Sequence, residues 1–308
     1  MNLPPPTSGR LPALLALATG MGIVGTSMTA NKFIVGELPI MLASGVRFLV
    51  ATVVLLAIVL LVEDRLPRIP ARLHLVLLAQ AFFGVFGFNV LVLLGVDMTT
   101  ATISGIITAM TPAMIAIISF GLGDRLGTGA WVGVALTIAG VILVNLLATP
   151  PEDAARRPLL GATLVFLAVV GEALYTVLGR QVTTRISPLS TATFICIYGL
   201  AMFLPFALWD LRGFDPSAAP PSAWLAVVYL ALVVTVFAFV IWFVGLRIIP
   251  ASTAGAFTGM IPITAVLSAW LILGEDIGWA HIAGIALVLA GILLVATSRG
   301  RALPSPTP

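Results

Sequence analysis

An all-α integral membrane protein, with ten transmembrane helices forming two inverted five-helix repeats, is the fold this chain predicts. Three observations carry that prediction. First, the sequence is 60% hydrophobic and only 9% charged, far from a water-soluble composition. Apolar runs able to cross ~30 Å of hydrocarbon recur along its length. Second, GVDMTTATISGIITAMTP from Gly95 returns as GLRIIPASTAGAFTGMIP from Gly245, pairing Ala101/Ala251, Gly105/Gly255, Thr108/Thr258, Met110/Met260 and Pro112/Pro262. The match resumes at Gly133/Gly284, Leu136/Leu287 and Gly140/Gly291, so the chain holds two copies of a unit of roughly 150 residues. Third, each copy has an odd number of spans, so the second enters the membrane from the opposite side.

The elements follow in order. Residues 1–10 form a short cytoplasmic tail without a cleavable signal pattern, so the first apolar run is a retained helix. The first repeat, 11–148, has spans at 11–33, 39–62, 73–95, 99–122 and 128–148. Span one closes with Asn31, which can reach inward, and Lys32, an interfacial cation. Span two carries Arg47, the one cation well inside a span, read as a structural charge with an anionic or carbonyl partner. In span three, Gln80 and Asn89 face opposite ways on a straight helix, so at most one lines a central cavity. In span four, Ala101, Gly105, Thr108 and Pro112 fall within a sector of roughly 60°. Pro112 cannot donate to the carbonyl of Thr108, which predicts a bend, a freed carbonyl and a threonine hydroxyl at mid-depth. Span five repeats glycines and aliphatics on one face, a packing pattern.

Residues 149–157 are the polar inter-repeat loop. The second repeat, 158–298, has spans at 158–181, 188–210, 222–246, 250–273 and 279–298. Span six holds the costliest residue, Glu172, with Tyr175 and Thr176 one turn on. A carboxylate in the middle third of a span is a proton carrier, a contact for a substrate amino group, or a structural acid bonded to a neighbouring helix. Cys196, in span seven, is the sole cysteine and excludes an internal disulfide. Trp242 in span eight, with Tyr175 and the phenylalanines of span three, supplies aromatic surface for an apolar pocket. Span nine repeats the face of span four through Gly255, Thr258 and Pro262. For both faces, cavity lining and close helix packing stand as alternatives. Residues 299–308 are a polar, Pro-rich, disordered tail.

Arginine placement sets the orientation. With the N-terminus inside, Arg10, Arg65, Arg68, Arg72, Arg125, Arg180, Arg185, Arg247, Arg299 and Arg301 are cytoplasmic. Lys32, Arg156, Arg157 and Arg212 are external, which gives ten against four and places both termini in the cytoplasm.

Taken together, two five-span repeats, an Arg early in span two and a mid-span Pro in spans four and nine resemble the EamA family of the drug/metabolite transporter superfamily. So does a Gly-acid pair in each copy (Gly123-Asp124, Gly274-Glu275). The likeness is strongest to YddG-type exporters of aromatic amino acids. That resemblance implies a bacterial inner (plasma) membrane protein.

The sequence holds no GxSxG, HExxH or paired metal-binding acids, which argues against an enzyme. His74 and His281 sit at span ends without ligand spacing. No metal, cofactor or nucleic-acid partner is expected, and a monomer is the default state. The function expected is secondary transport by alternating access, exporting small amphipathic metabolites, foremost aromatic or hydrophobic amino acids, through the lipid bilayer. Multidrug or other metabolite efflux is the alternative, and a non-transporting scaffold or regulatory protein the different-class one. Phosphorylated substrates are disfavoured because they call for two convergent basic groups. The pathway residues expected are Thr108, Thr258, Gly105, Gly255, Glu172, Tyr175, Thr176, Gln80, Asn89, Asn31 and Trp242, with hinges at Pro112 and Pro262.

Overall fold

A computed structural model describes residues 9–98, 104, 107–124, 127–148, 157–274 and 277–297. These described residues are helical wherever they are regular. Among the described residues, seven helices are long and apolar enough to cross a membrane, and three shorter apolar helices accompany them. In chain order they are α1 (Arg10–Lys32), α2 (Ile40–Val62) and α3, which runs Ala71–Ala81, a π segment Phe82–Gly87, then Phe88–Met98. Next come α4 (Thr111–Gly121), α5 (Thr128–Ala148), α6 (Pro158–Thr183) and α7 (Pro188–Leu211). Helix α8 joins Pro221–Tyr229, a π segment Leu230–Phe237 and Ala238–Ile248. Helix α9 joins Ala251–Ala254, a 3₁₀ segment Gly255–Gly259, Met260–Ser268 and a π segment Ala269–Leu273. Helix α10 is Trp279–Thr297. Ala101, Gly105, Arg125, Arg156, Glu275, most of the inter-repeat loop and both tails lie outside the described residues.

Local chemistry sets the helix ends. Ser187 accepts from the Ser190 amide at 2.9 Å and Pro188 follows it, a side-chain cap with proline at the first helical position. After α4 and α9 the chain turns through Gly123 (φ +102°) and Gly274 (φ +70°), a left-handed geometry that glycine adopts without Cβ strain.

The largest helix pairings recur when each helix of α1–α5 is exchanged for its counterpart in α6–α10, whereas the contacts of α8 with α6 and α7 have no comparable match in contacts of α3 with α1 and α2 among the described residues. Contacts of α3 and α4 with α6 are matched by those of α8 and α9 with α1, and α2·α7 and α5·α10 map onto themselves. In two of these self-matched pairs the helices run antiparallel. A Cβ on Gly133 would sit 2.7 Å from the Gly291 carbonyl oxygen, and one on Gly140 would sit 2.6 Å from that of Gly284. Along α2, Gly45 abuts Ala207, Phe48 stacks on Phe203 at 5.4 Å, and Glu63 accepts from Ser190.

Candidate functional site

Polar groups from the two halves meet in the middle of the helices. Arg47 lies one-third of the way along α2, half-buried. Its Nε–H donates to Thr235 Oγ1 at 2.6 Å, and the guanidinium carbon lies 5.5 Å from the Phe48 ring centre. The expected partner was an anion or a carbonyl; the structure gives a hydroxyl. Thr235 lies in the π segment of α8 and returns its own proton to the Leu230 carbonyl five residues back at 2.9 Å. The widened turn thus exposes an acceptor oxygen to the arginine, as π segments do at functional sites.

Glu172, half-buried on α6, accepts from Thr111 Oγ1 of α4 at 3.1 Å. One turn on, Tyr175 and Thr176 are buried at 8% and 1% exposure. The Tyr175 ring packs 6.3 Å from Phe239 and 5.8 Å from Phe243 of α8. Gln80 is fully buried and donates from Nε2 to the Tyr175 carbonyl at 3.1 Å. Tyr175 Oη and Gln80 Oε1 here, and Trp242 Nε1 on the Tyr175-packing segment of α8, are buried without a hydrogen-bond partner. Leaving such a group unmet costs roughly 1–3 kcal/mol, so orphaned groups concentrated at one place mark where a polar ligand fits.

The remaining expected residues fall differently. Gln80 faces inward, whereas Asn89 is exposed and donates to the Val85 carbonyl of its own helix at 2.6 Å. Asn31 is exposed at the end of α1 and does not reach inward. The hydroxyls of Thr108 and Thr258 turn back onto their own chain, to Ser104 O at 3.0 Å and Gly255 O at 2.8 Å. Gly255 is a contact point, because a Cβ there would meet Ile115 of α4 at 2.8 Å. At both prolines the α pattern is interrupted just upstream, as an expected hinge requires. Each sits in the first turn of a new α segment, after the turn at Ala109–Met110 or the 3₁₀ stretch Gly255–Gly259.

Sequence reasoning missed Thr111, Thr235, Phe239 and Phe243. Thr235 carried a signal, being the lone hydroxyl in the apolar run LALVVTVFAFV. Also missed was a contact at the Arg180 end of α6. Arg180 Nη1 donates to the carbonyls of Leu246, at 2.8 Å, and Arg247, where α8 ends. It also interacts electrostatically with Asp124, whose Oδ2 accepts from Ser252 Oγ at 3.0 Å at the start of α9. Toward the opposite end of the helices, a pocket of about 340 Å³ lies between α1, α8 and α9. Thr26 and Tyr229 are hydrogen-bonded at 2.6 Å on its wall.

The model of the EamA-like transporter family matches this chain twice, over residues 11–146 and 159–297. The chain is 40% identical to the uncharacterized transporter YetK of Bacillus subtilis, covering 92% of this chain and 86% of YetK. The uncharacterized inner membrane transporter YedA of Escherichia coli K12 is 25% identical over 93% and 89% of the two chains. One solved protein structure superposes with a TM-score of 0.78 over 92% of this chain and 98% of its own, at 21% identity, so the fold is shared. A family match in each half of a helical membrane fold, with a relative 40% identical over nearly the whole chain, places this chain in the EamA-like transporter family, as a multi-pass membrane transporter.

Proposed function

We propose that this transporter exports small amphipathic metabolites, foremost aromatic and hydrophobic amino acids, by alternating access. The observation that carries the reading is the mid-helix layer. There, one cation (Arg47) beside the Phe48 ring, one acid (Glu172), and the orphaned polar atoms of Tyr175, Trp242 and Gln80 lie with the rings of Phe239 and Phe243. Such a mixture of apolar surface and few polar groups suits a solute of the same character.

The seven long and three shorter apolar helices are the ten spans of this reading. The antiparallel crossings of α5 with α10 and of α2 with α7 support the inverted repeat. Arginine placement supports cytoplasmic termini in a bacterial inner membrane. The Asp124–Ser252 and Arg180–Leu246 contacts then close the cytoplasmic end, and the α1/α8/α9 pocket lies toward the outside. Pro112 and Pro262 mark where α4 and α9 pivot. Gly255 and Thr258 act there as packing and local bonding, and Thr176 packs beside Glu172.

Uptake of labelled phenylalanine, tryptophan and threonine into proteoliposomes, with and without a pH gradient, tests the reading. Accumulation of phenylalanine and tryptophan above protein-free vesicles is expected, and no transport of any amino acid overturns the substrate assignment. A second reading, efflux of organic cations, draws on Glu172 near the Tyr175 ring. Cations that compete with phenylalanine would support it.

A further inference from the structure

Arg47 is a costly residue to keep inside a membrane without an anion to meet it. Among the described residues its one hydrogen bond is Nε–H to Thr235, and no carboxylate is within ion-pair distance of it. That bond holds the guanidinium at Nε and leaves the two Nη groups as a fork without a hydrogen bond among the described residues. The Phe48 ring supports it from the side. Such a fork matches the two oxygens of a carboxylate, in the geometry that distinguishes arginine from lysine. In the buried core that includes Phe48, Tyr175 Oη and Trp242 Nε1 are further hydrogen-bond donors without a partner.

We propose that Arg47 is the carboxylate-recognition group of the transport site, with Thr235 as the residue that positions it, so that the solutes carried are those bearing a carboxylate. This rests on the transport reading above. It departs from a purely structural role for Arg47, which would leave the Nη fork unused. It also divides the labour of the site: Arg47 takes the acidic end of the solute, and Glu172, held by Thr111 from the other side, is left for a basic end where the solute has one.

The test is ligand-induced thermal stabilisation of the purified full-length protein. The probes are phenylalanine, phenylalaninamide, 3-phenylpropionate, leucine and 4-methylpentanoate, used on wild type, R47Q, R47K and T235A. Wild type is expected to bind the acids about 10–100-fold more tightly than the amide, the range for a hydrogen-bonded charge. In R47Q that ratio falls to about threefold or less, and R47K retains part of it because the charge stays while the fork is lost. T235A lies between wild type and R47Q.

Equal binding of acid and amide by wild type overturns the proposal, as does a ratio that survives in R47Q. A lower melting temperature for ligand-free R47Q with the ratio intact is the signature of a structural role and also overturns it. If R47Q does not fold, an R47K ratio equal to that of wild type overturns it. Stabilisation by 3-phenylpropionate and 4-methylpentanoate but not by the amino acids supports Arg47 while sinking the amino-acid assignment. No stabilisation by any carboxylate sinks the Arg47 assignment.

Discussion

Replacing Gly140 by alanine tests the crossing on which the antiparallel register of α5 and α10 depends. An added Cβ would lie 2.6 Å from the Gly284 carbonyl oxygen, 2.7 Å from Val288 Cγ2 and 2.8 Å from the Val288 amide nitrogen. Ordinary contact needs about 3.4 Å or more, and two of these three atoms are backbone, so the helices must part. Overpacking of this kind costs about 1–3 kcal/mol. Against it stands the helix preference of alanine over glycine, about 1 kcal/mol. Gly22 of α1 supplies the control, since a Cβ there meets only Thr264 Cγ2, at 3.4 Å. Both changes share the preference term, so their difference isolates the overpacking term. Gly140→Ala should be less stable than Gly22→Ala by about 1–3 kcal/mol, read from unfolding of the two proteins in one detergent. Gly291→Ala, where the Cβ would run into Thr137 and the Gly133 carbonyl, should resemble Gly140→Ala. Equal stability of all three variants would refute the register.

Other outcomes follow from the same contacts. Glu172→Gln keeps an oxygen able to accept from Thr111, so stability should change by less than about 1 kcal/mol. Phenylalanine affinity in a counterflow assay should nevertheless fall about tenfold or more, with 3-phenylpropionate unaffected, through loss of a charge-assisted contact. Asp124→Asn weakens the half-buried contact to Ser252 by about 1 kcal/mol, about fivefold in a two-state equilibrium. In a Cys196→Ala background, Glu172→Cys should then react severalfold faster with an aqueous thiol reagent applied from the cytoplasmic side; an unchanged rate would count against the contact as a gate. Gly84→Ala drives its Cβ into the Tyr175 ring; it should lower the melting temperature and abolish phenylalanine binding together, because α3 and α6 cannot both keep their places.

The helix limits were legible because apolar length and Pro, Gly or charged punctuation mark them: the run expected at 128–148 is Thr128–Ala148. The glycines of α5 and α10 were read as packing from their seven-residue spacing on one face, and they meet pairwise as that spacing requires. The site was less legible, for two physical reasons. A helix apolar on all sides gives periodicity nothing to orient it, so Gln80 and Asn89 could be set on opposite faces but not assigned to inside or outside. Nor do the π segments at Phe82–Gly87 and Leu230–Phe237 contain a proline to announce them. The acceptor that Thr235 offers Arg47 depends on one of those segments, and a wheel drawn at 100° per residue has no place for it.

Those irregular segments explain why the polar layer sits where it does. Non-helical backbone inside a membrane is tolerated only against protein or a watered cavity, so each departure from the α pattern needs a local compensation. In α8 the π turn is stitched by Thr235 to Leu230 and carries the arginine contact. In α3 the π turn sets its own Gly84 against Tyr175 and its Phe83 carbonyl against Gly171, next to the Gln80 bond. In α9 the 3₁₀ stretch is tied by Thr258 to Gly255. In α4 the new segment opens with Thr111, whose hydroxyl reaches Glu172 rather than its own chain. Thr111 and Thr235 therefore stand apart from Thr258, because their oxygens link the two halves while the Thr258 oxygen mends its own helix. Removing a linking hydroxyl should shift the equilibrium between conformations of the two halves, whereas removing the mending one should act on stability alone. Thr111→Val against Thr258→Val, each assayed for transport rate and for melting temperature, separates the two: an equal loss of rate in both at equal stability would refute the distinction.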